Sequence, residues 1–411
     1  MNVDIQIPGI DAQGRVFLTW APVPATARLL NGPASGAVPV TLRNKAPANG
    51  PRLEFATTRT HNGTPTLTLS LPADGTPVAF FIAGEFQRPS TAVGDAVVEA
   101  VQQGTTAVLG TKATMVRIRK NAQTLSPAER DRFIAAMGTL NGQGAGRFRD
   151  FRDMHVNAAT AEEHGNVGFL PWHRAYLLDL ERELQAIDPS VALPYWRFDQ
   201  PAPSLFTRQF IGTSNSAGRV QFAAGHPFEN WRTDGVTGIV RSPDFAANEA
   251  PSGLLTEEET LNLAAPPNHV YGNFVPMEFN PHGNAHTSFG GSISKIGTAA
   301  KDPLFFLLHA NVDRLWAKWQ WVNRRTDSGD PGAFAPAAPN RVGHRLNDTM
   351  WPWNGITTSP RPSTAPGGTL APSTVTSAPG PNPTVRSMID SQAVAGGAAL
   401  GFAYDDVPFE N

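Results

Sequence analysis

Residues 302–316 read Asp302-Pro-Leu-Phe-Phe-Leu-Leu-His309-Ala-Asn-Val-Asp313-Arg-Leu-Trp316. Apolar side chains recur in this stretch at the spacing of a helix face, so the sequence predicts a helix that is largely buried. His309 lies inside the run, and its imidazole is therefore expected in the protein interior. A buried imidazole needs a partner for its ring nitrogens. The stretch thus predicts both a core helix and a polar contact within it.

Histidines occur near this stretch and in one earlier part of the chain, while the other four of the ten are scattered. The clustered ones are His155, His164 and His173, followed by His282, His286 and His309. Because His282 and His286 are four residues apart, on a helix they leave one face and can reach a single ion. Three imidazoles in each cluster indicate two metal sites. The alternative is that a given histidine is a core residue satisfied by hydrogen bonds.

The histidine pattern restricts the type of metal without identifying it. The sequence has no cysteine, which excludes thiolate ligands. A zinc protease motif requires glutamate directly after its first histidine, whereas Gly283 follows His282. Sites built from imidazole suit copper, iron, nickel or zinc, and neutral nitrogen ligands without carboxylates favour copper or zinc. Spacing alone leaves the choice between these metals open.

Both clusters lie within longer motifs that resemble the two copper-binding signatures of the tyrosinase and polyphenol oxidase family of type-3 copper proteins. The copper A signature corresponds to Phe169-Leu-Pro-Trp-His173-Arg-Ala-Tyr-Leu-Leu-Asp-Leu-Glu181-Arg-Glu-Leu184. The copper B signature corresponds to Pro281-His282-Gly-Asn-Ala-His286, continued through Gly290-Gly291 to the stretch around His309. The resemblance extends over residues 116–411. Because a thioether bridge to histidine needs cysteine, the chain resembles the bacterial members that lack this bridge.

The resemblance implies a ligand set, cofactors and an activity. The copper A ligands would be His155, His164 and His173, and the copper B ligands would be His282, His286 and His309. His155 is assigned because no other histidine lies between His61 and His164, and this assignment requires a tight connecting loop. The implied cofactors are two copper ions, with dioxygen as co-substrate. The implied reaction is oxidation of o-diphenols (catechols) to o-quinones, with hydroxylation of monophenols in members that are tyrosinases.

Two residues of the second cluster bear on monophenol chemistry. Glu278, four residues before His282, matches the family glutamate thought to orient a water that takes the proton of the phenol, so we expect a catalytic role for it. Gly283 departs from the family pattern, because clear tyrosinases often carry asparagine there to orient the same water. Asn284 is one position further along, which turns its side chain by about 100° on a helix. The sequence therefore predicts diphenol oxidation more firmly than monophenol hydroxylation.

Two further residues are predicted to shape access to the site. Ile296 occupies a position that often gates entry above copper A, and a branched aliphatic side chain leaves more room there than phenylalanine. Ordinary core packing is the alternative for this residue. Phe305 lies four residues before His309, on the same helical face, and is expected to pack beneath the copper pair. The competing function is a haemocyanin-like reversible oxygen-binding protein with the same six ligands, and room at Ile296 favours the enzyme.

The organisation of the chain predicts an α+β protein. Residues 1–105 contain short alternating apolar runs, at residues 38–43, 53–57 and 66–71, which are typical of a small antiparallel β-sandwich. Residues 106–411 are expected to form a mainly helical copper domain built on a four-helix bundle. A helix should begin after Ser126, because Glu129 follows it at the spacing of a capping box. Residues 355–383, rich in Pro, Gly, Ser and Thr, are expected to be a surface loop.

Charge and hydrophobicity exclude other classes of partner. A net charge of -2 provides no basic field for nucleic acid or anionic lipid. There is no run of 18 apolar residues that would cross a membrane, and no secretory signal begins the sequence. The expected location is therefore cytoplasmic and the expected partner is a phenolic small molecule with dioxygen. A copper-delivery partner is kept open, and the sequence makes no prediction of the oligomeric state.

Overall fold

A computed structural model describes residues 1–156, 160–264, 266–334, 341–373 and 375–410. The chain divides into two compact units that each contain separate segments of sequence. The first unit consists of Met1–Ile118, Pro372–Ala378 and Ser391–Asn411, and the second of Arg119–Ala371 and Pro379–Asp390. The boundary predicted after residue 105 differs from this division, because the strand that follows it belongs to the first unit.

The first unit is built from strands arranged in two sheets. In chain order the strands are β1 (Asn2–Gln6), β2 (Val16–Leu18), β3 (Val23–Leu30), β4 (Ala37–Lys45), β5 (Leu53–Ala56), β6 (Thr66–Pro72), β7 (Val78–Gly84), β8 (Ala96–Gln102) and β9 (Val108–Val116). One sheet has the order β1-β3-β7-β5 and the other the order β2-β9-β8-β4-β6. All neighbouring strands are antiparallel except β2 and β9, which are parallel. The strands predicted near residues 38–43, 53–57 and 66–71 are confirmed as β4, β5 and β6.

The two sheets share one hydrophobic core. Val40 of β4 and Val98 of β8 meet Phe55 of β5 and Ile82 of β7 in a single buried cluster. Side chains along β4 alternate between buried and more exposed positions, as expected where one face of a sheet covers a core. Burial of each such side chain contributes about 1.5–3 kcal/mol. Phe409, near the end of the chain, belongs to the same cluster, which explains why the last segment is part of this unit.

The second unit carries the helices. In chain order these are α1 (Pro127–Asn141), α2 (Phe148–Met154), α3 (Thr160–Glu163), α4 (Phe169–Ile187), α5 (Glu257–Leu261), α6 (Tyr271–Phe274), α7 (Asn284–Thr287), α8 (Ile296–Ala299) and α9 (Leu304–Asn323). A single π-helical turn, Phe279–Gly283, directly precedes α7. The predicted capping box is confirmed, because the Ser126 hydroxyl accepts from the Glu129 N–H and the Glu129 carboxylate accepts from the Ser126 N–H.

Between α4 and α5 the chain is not helical, which corrects the expectation of a largely helical course after Ser126. Residues 188–256 form turns and five short strands, β10 (Thr213–Ser214), β11 (Val220–Gln221), β12 (Arg232–Thr233), β13 (Val236–Thr237) and β14 (Arg241–Pro243). Frequent proline and glycine in this segment interrupt helical hydrogen bonding. β14 pairs with β15 (Phe289–Gly291), which follows α7. The protein as a whole is therefore a mixed α/β structure.

Buried ion pairs connect the two longest helices, α4 and α9. Asp313 of α9 accepts from Arg174 of α4 at 2.5 Å and from Arg119 at 3.1 Å, while Arg119 also pairs with Glu181 of α4 at 2.8 Å. The Arg174 guanidinium additionally lies over the Trp316 ring at 3.7 Å from its centroid. All these side chains are buried. This network fixes the register of α4 against α9, each of which carries a histidine of the clusters.

The start of α9 is held by a second buried pair. Arg241 of β14 makes two hydrogen bonds of 2.8 Å to the carboxylate of Asp302, and Asp302 also accepts from the Leu304 N–H at 3.0 Å. Residues 355–383, as far as they are described, contain no helix or strand. Among the described residues there is no helix of the length and hydrophobicity that crossing a membrane requires.

Candidate metal centre

The first three histidines come together from three separate helical segments. His155 caps the end of α2, His164 directly follows α3, and His173 lies in the second turn of α4. One ring nitrogen from each of the three lies within 4.8 Å of the others. The loop predicted to be tight between His155 and His164 includes residues 157–159, which lie outside the described part of the chain. The sequence prediction of this cluster agrees with the observed proximity.

The second three histidines form a closer group. His282 belongs to the π-helical turn, His286 to α7 and His309 to α9. The Nε2 atom of His309 lies 3.2 Å from that of His282 and 3.1 Å from that of His286. Asn280 within this turn has extended backbone angles (φ -139°, ψ 120°), so the turn is kinked and is not a regular π-helix. Here the turn places two histidines, four residues apart in sequence, against the same atom of a third.

Backbone carbonyl groups orient four of the six rings through their Nδ1 atoms. His155 lies 3.1 Å from the Ile296 carbonyl oxygen and His173 lies 2.9 Å from that of Phe169. His282 and His286 contact the carbonyl oxygens of Glu278 at 2.6 Å and Ile293 at 2.7 Å, respectively. A carbonyl oxygen only accepts, so in each case Nδ1 carries the proton and donates it. The Nε2 atoms of these four rings are then free of protons and can act as ligands.

Burial keeps the six imidazoles neutral, which is the form that binds a metal. It lowers the pKa of His155 to about 3 and that of His286 to about 4. The other four, His164, His173, His282 and His309, have a pKa well below the usual value, first because of burial and then because charged neighbouring imidazoles would repel a second positive charge. Neutral rings with inward-facing lone pairs are the electronic form that a cation requires.

The buried imidazole nitrogens that have no hydrogen-bond partner indicate whether a metal fits this arrangement. The Nε2 atoms of His155 and His173 are buried and have no hydrogen-bond partner within the described residues. In the second group, Nε2 of His309 faces two proton-free Nε2 atoms and can donate to only one of them. Buried polar atoms without partners are costly, and opposed lone pairs repel. A cation in each group removes both penalties, so the donor set fits two ions that prefer imidazole nitrogen, such as copper.

A cavity of about 660 Å³ adjoins both groups of histidines. Its lining includes His155, His164, His282 and His286 together with Glu278. Glu278 is 7% exposed, and its Oε1 accepts from the Gly165 N–H at 2.7 Å. Burial raises the pKa of Glu278 to about 7, against the opposing effect of that hydrogen bond. The structure therefore has a carboxyl group beside the histidines, at the wall of a space that a small molecule can enter.

Gly283 and Asn284 both line the cavity beside this glutamate. Gly283 has helical backbone angles, and a Cβ atom there would meet only the Glu278 carbonyl oxygen, at 3.4 Å. A side chain is therefore compatible with this position. Asn284 donates through its side-chain amide to the Gly253 carbonyl oxygen at 2.8 Å. The Asn284 amide is thus engaged away from Glu278, although its residue contributes to the same wall.

Ile296 and Phe305, both predicted to shape access, have different surroundings. Ile296 lines the cavity and is 46% exposed. Phe305 is fully buried and is not among the lining residues. Its ring stacks on His309 with centroids 4.1 Å apart and lies 4.7 Å from His155. Phe305 thus packs against histidines of both groups, where it can hold their rings in place without reaching the cavity.

Several contacts at this centre were not anticipated from the sequence. The carbonyl groups of Ile293 and Ile296 orient histidines, and backbone contacts of this kind leave no signal in residue identity. Glu163, directly before His164, is fully buried, and its Oε2 lies 3.7 Å from the His164 Nδ1. Burial first, and then the neighbouring Glu162, raise the pKa of Glu163 well above its usual value. The sequence offered one signal for this contact, which is the acidic residue directly before the candidate ligand His164.

Comparison with known proteins assigns these features to a family. Residues 145–322 match the family profile described as the common central domain of tyrosinase. The tyrosinase of Streptomyces glaucescens is 38% identical over 263 residues, which are 58% of this chain and 92% of that protein. The tyrosinase of Streptomyces antibioticus is 33% identical over 266 residues, covering 58% of this chain and 94% of that protein.

A relative with a lower sequence identity is named as a hemocyanin. Hemocyanin 2 of Megathura crenulata is 31% identical over 226 residues, which are 50% of this chain and 6% of that protein. The two tyrosinases are matched over nearly their whole length, and the residues matched by the family profile, 145–322, include both histidine groups. The chain therefore belongs to the tyrosinase family of type-3 copper proteins and is a copper-dependent phenol oxidase that uses two copper ions and dioxygen.

Proposed function

We propose that this protein oxidises o-diphenols to o-quinones and hydroxylates monophenols more slowly. The observation that carries the proposal is the cavity of about 660 Å³ whose wall is formed by histidines of both groups. Each catechol gives up two electrons and two protons to become a quinone. Dioxygen takes up four electrons and four protons to give two water molecules, so one dioxygen serves two catechols. No organic cofactor is needed for this balance.

The proposed copper ligands are the six histidines. His155, His164 and His173 would hold one ion, and His282, His286 and His309 the other. Copper bound there would accept electrons from the phenol and pass them to dioxygen. The protein residues orient the imidazoles through the carbonyl contacts and keep them unprotonated by burial. Phe305, packed on His309, supports this geometry and is proposed as a positioning residue.

Glu278 is proposed as the group that receives the phenol proton, directly or through a water. It lines the cavity together with His282 and Gly283, so an entering hydroxyl group passes close to it. Because burial raises its pKa to about 7, the carboxylate is a better base than an exposed glutamate. Gly283 provides no side chain to orient a water beside it. This supports diphenol oxidation as the main activity, since clear tyrosinases often carry an asparagine at this position to orient that water.

A haemocyanin-like oxygen carrier is the second candidate, favoured by the relative from Megathura crenulata. A carrier has to keep reducing phenols away from its bound dioxygen. The cavity beside these histidines, with Ile296 partly exposed at its wall, offers phenols the access that a carrier avoids. This contrast favours the enzyme.

The finer architecture is also a proposal. We propose that the ligand-bearing segments α2, α4, residues 279–287 and α9 form the four-helix bundle of the copper domain. Support comes from the ion pairs of Asp313, which join α4 to α9. The two sheets with their common core support a β-sandwich as the accessory domain. The cytoplasmic location and a copper-delivery partner stay predictions of the sequence.

Oxygen consumption by copper-loaded protein tests the proposed function. Catechol should cause sustained uptake of dioxygen, with about two quinones formed per dioxygen, and phenol should cause slower uptake after a lag. Protein stripped of copper with a chelator serves as the control and should consume no dioxygen. Reversible dioxygen binding without consumption in the presence of catechol would overturn the enzyme and support the carrier.

A further inference from the structure

The cavity lining has an unusual balance of charge. Apart from histidines, its apolar lining residues are Phe279, Ile293, Ile296 and Ala299, and its uncharged polar ones are Asn284, Thr287 and Ser294. Glu278 is the ionisable residue that remains, and lysine and arginine do not occur in the lining as far as the chain is described. Away from the histidines, a substrate carboxylate in this space would meet no cationic side chain of the described residues and would approach Glu278, which has the same sign of charge when ionised.

Two large apolar side chains are exposed at the same cavity. Phe279 is 68% exposed and Ile296 is 46% exposed, although both line the space beside the histidines. A ligand that covers an exposed aromatic or aliphatic side chain removes apolar surface from water, and this contributes favourably to the free energy of binding. Cavities of roughly 300–1,000 Å³ typically enclose ligands larger than a single ring. The volume of about 660 Å³ therefore leaves room for a substituent on the phenol ring.

We propose that the preferred substrates are uncharged phenols with an apolar ring substituent, and that phenols bearing a carboxylate, including amino acids, are discriminated against. This inference rests on the proposed phenol oxidation. The ring lies at the histidines, and the substituent packs on Phe279 and Ile296. A carboxylate at the same place loses hydration without gaining an ion pair, which disfavours its transfer from water.

Lysine near the cavity has to be considered separately. Lys295 lies between the lining residues Ser294 and Ile296 in sequence, but it is exposed and is not itself part of the lining. Its charge is therefore screened by water and contributes little to binding within the cavity. A variant that removes this lysine provides a direct check of that statement.

The test compares dihydrocaffeic acid with its methyl ester, two catechols that differ in the charge of the side chain. We expect kcat/KM for the ester to exceed that for the acid by about tenfold or more, in the range by which apolar pockets discriminate. Ser294→Arg should raise kcat/KM for the acid selectively, whereas Ser294→Gln, matched for polarity without charge, should not. Phe279→Ala should lower kcat/KM for the ester, and Lys295→Ala should leave the ratio of the two unchanged.

The outcomes separate this inference from the proposed function. If neither catechol is oxidised, the phenol oxidase proposal fails and the substrate preference fails with it. If both are oxidised and the acid is turned over as efficiently as the ester, the enzyme stands and the substrate preference is overturned. A larger ester preference in Lys295→Ala would show that the lysine charge acts within the cavity and would overturn the assignment of selectivity to the cavity lining.

A second inference concerns Glu163 and is independent of the cavity. Four histidines of the centre have Nδ1 held by a backbone carbonyl, whereas Nδ1 of His164 is buried without a hydrogen-bond partner in the described residues. Oε2 of Glu163 lies 3.7 Å from this Nδ1, slightly beyond hydrogen-bond distance. His164 therefore differs from most of the other rings in lacking a fixed orienting contact.

The buried carboxyl group of Glu163 lacks hydrogen bonds, among the described residues, that would compensate for its removal from water. It is fully buried, and neither of its carboxyl oxygens has a hydrogen-bond partner in the part of the chain that the structure describes. The preceding Glu162, in contrast, accepts from the Trp351 N–H at 2.9 Å and pairs with Arg361 at 2.7 Å. A buried polar group without a partner destabilises the folded protein by about 1–3 kcal/mol. Such a group is explained if it acquires a partner in the functional state.

We infer that Glu163 is a positioning residue that accepts the Nδ1 proton of His164 when copper is bound. Its carboxyl group takes the place of the backbone carbonyl that orients four of the other rings. A carboxylate that accepts from a ligating histidine fixes the ring and makes its other nitrogen a better donor to the metal. Closing the gap of 3.7 Å requires only a small side-chain rotation.

The test uses Glu163→Met, which keeps the side-chain length but removes the acceptor. Apo protein with this change should melt at a higher temperature than the parent, because an unpartnered buried carboxyl group is lost. Copper competition against a chelator should nevertheless show about 10- to 100-fold weaker binding of one of the two ions. Glu163→Gln, which keeps an acceptor, should restore part of the affinity.

The control is Glu162→Gln, which disturbs a carboxylate that already has partners. It should lower the melting temperature of the apo protein, with a smaller effect on copper affinity than Glu163→Met. If Glu163→Met lowers both the apo melting temperature and copper affinity, Glu163 has a structural role only and the inference fails. Unchanged copper affinity in Glu163→Met would also overturn it. Should Glu163→Met not fold, the affinity of Glu163→Gln against Glu163→Ala decides the same question.

Discussion

Each imidazole of the centre has two nitrogens with different tasks. Nδ1 of His173 and His282 donates to a carbonyl of the preceding helical turn, and Nε2 faces the interior of the site. Because the donor and acceptor are four residues apart, the local helix itself sets the ring orientation. The arrangement directs ring nitrogens at each other, as at the contact of 3.1 Å between His286 and His309. A single proton on His309 can satisfy only one of its two contacts, whereas a cation within the group satisfies all three nitrogens.

Glu278→Gln tests the assignment of the base. Glutamine can still accept from the Gly165 N–H and leaves the backbone contact to His282 intact, so the fold should be retained. Loss of the carboxylate should lower the rate of phenol hydroxylation by about 100-fold, a typical contribution of a positioned base. Catechol oxidation should fall much less. Initial rates with phenol and catechol measure the difference, and equal losses for both substrates would argue against the role.

Gly283→Asn should raise the monophenol rate relative to the diphenol rate by several-fold. The backbone at Gly283 is helical and a Cβ atom fits, so the amide can be introduced beside Glu278 without distortion. It would orient a water toward the carboxylate. Gly283→Ala is the matched control, because it adds a Cβ atom without the amide. The same ratio of rates in both variants would refute the importance of a side-chain amide here.

At the scale of residues, the sequence predicted the histidines but not their orientation. His155, which is assigned as the one histidine between His61 and His164 in the sequence, lies in the first group with His164 and His173. Phe305 was expected to influence access, but its ring is buried against His309. Residue spacing identifies which face of a helix a side chain occupies. It does not reveal whether a carbonyl, a carboxylate or a cavity lies opposite.

The elements that carry the ligands differ in what stabilises them. α4 and α9 are long and packed through buried ion pairs, whereas His282 and His286 lie on a short π-helical turn and a single turn of α7. Short helices have little stability of their own and depend on their packing. The centre therefore combines two rigid helices with shorter segments that the histidine contacts help to hold.

Asp313→Ala should destabilise the protein severely. The substitution leaves Arg174 buried without its carboxylate partner and removes one of the partners of Arg119. Breaking a buried ion pair in this way typically costs about 3–5 kcal/mol. Chemical denaturation of the apo protein measures the loss. Asp313→Asn, which keeps the shape of the side chain, should be less damaging, and a loss below 1 kcal/mol for Asp313→Ala, within ordinary surface effects, would contradict the proposed importance of the network.

At the scale of elements, strong periodic patterns were predictive and short segments were not. The buried helix predicted at residues 302–316 is confirmed as α9, in which Phe305 and His309 are both buried. The capping box fixed the start of α1 correctly. The π-helical turn was not foreseen, because its geometry depends on tertiary contacts of His282. The short strands between α4 and α5 also lack the alternation that marks longer strands.

The whole molecule consists of two compact units with contrasting construction. The first relies on an apolar core shared by two sheets, and the second contains the buried ion pairs and the histidines. The sequence predicted a β-rich segment followed by a helical one. It did not predict that residues 391–411 belong to the first unit, because Phe409 joins its core from the opposite end of the chain. Long-range contacts of this kind depend on the finished fold.

Copper should stabilise the protein as a whole. Apo protein contains buried imidazole nitrogens without partners, and copper bound to the native state satisfies them. At a free metal concentration about 100 times the dissociation constant, binding adds about 2.7 kcal/mol to the free energy of unfolding. Differential scanning calorimetry with and without copper should reveal a higher melting temperature for the loaded form. Magnesium, which prefers oxygen ligands, provides a control for non-specific effects of divalent metal.

The copper content of the purified, fully loaded protein tests the central claim most directly. Six histidines in two groups predict two copper ions per chain, and His309→Ala should reduce this to about one. One copper per chain in the unmodified protein, or zinc in place of copper, would contradict the dicopper centre.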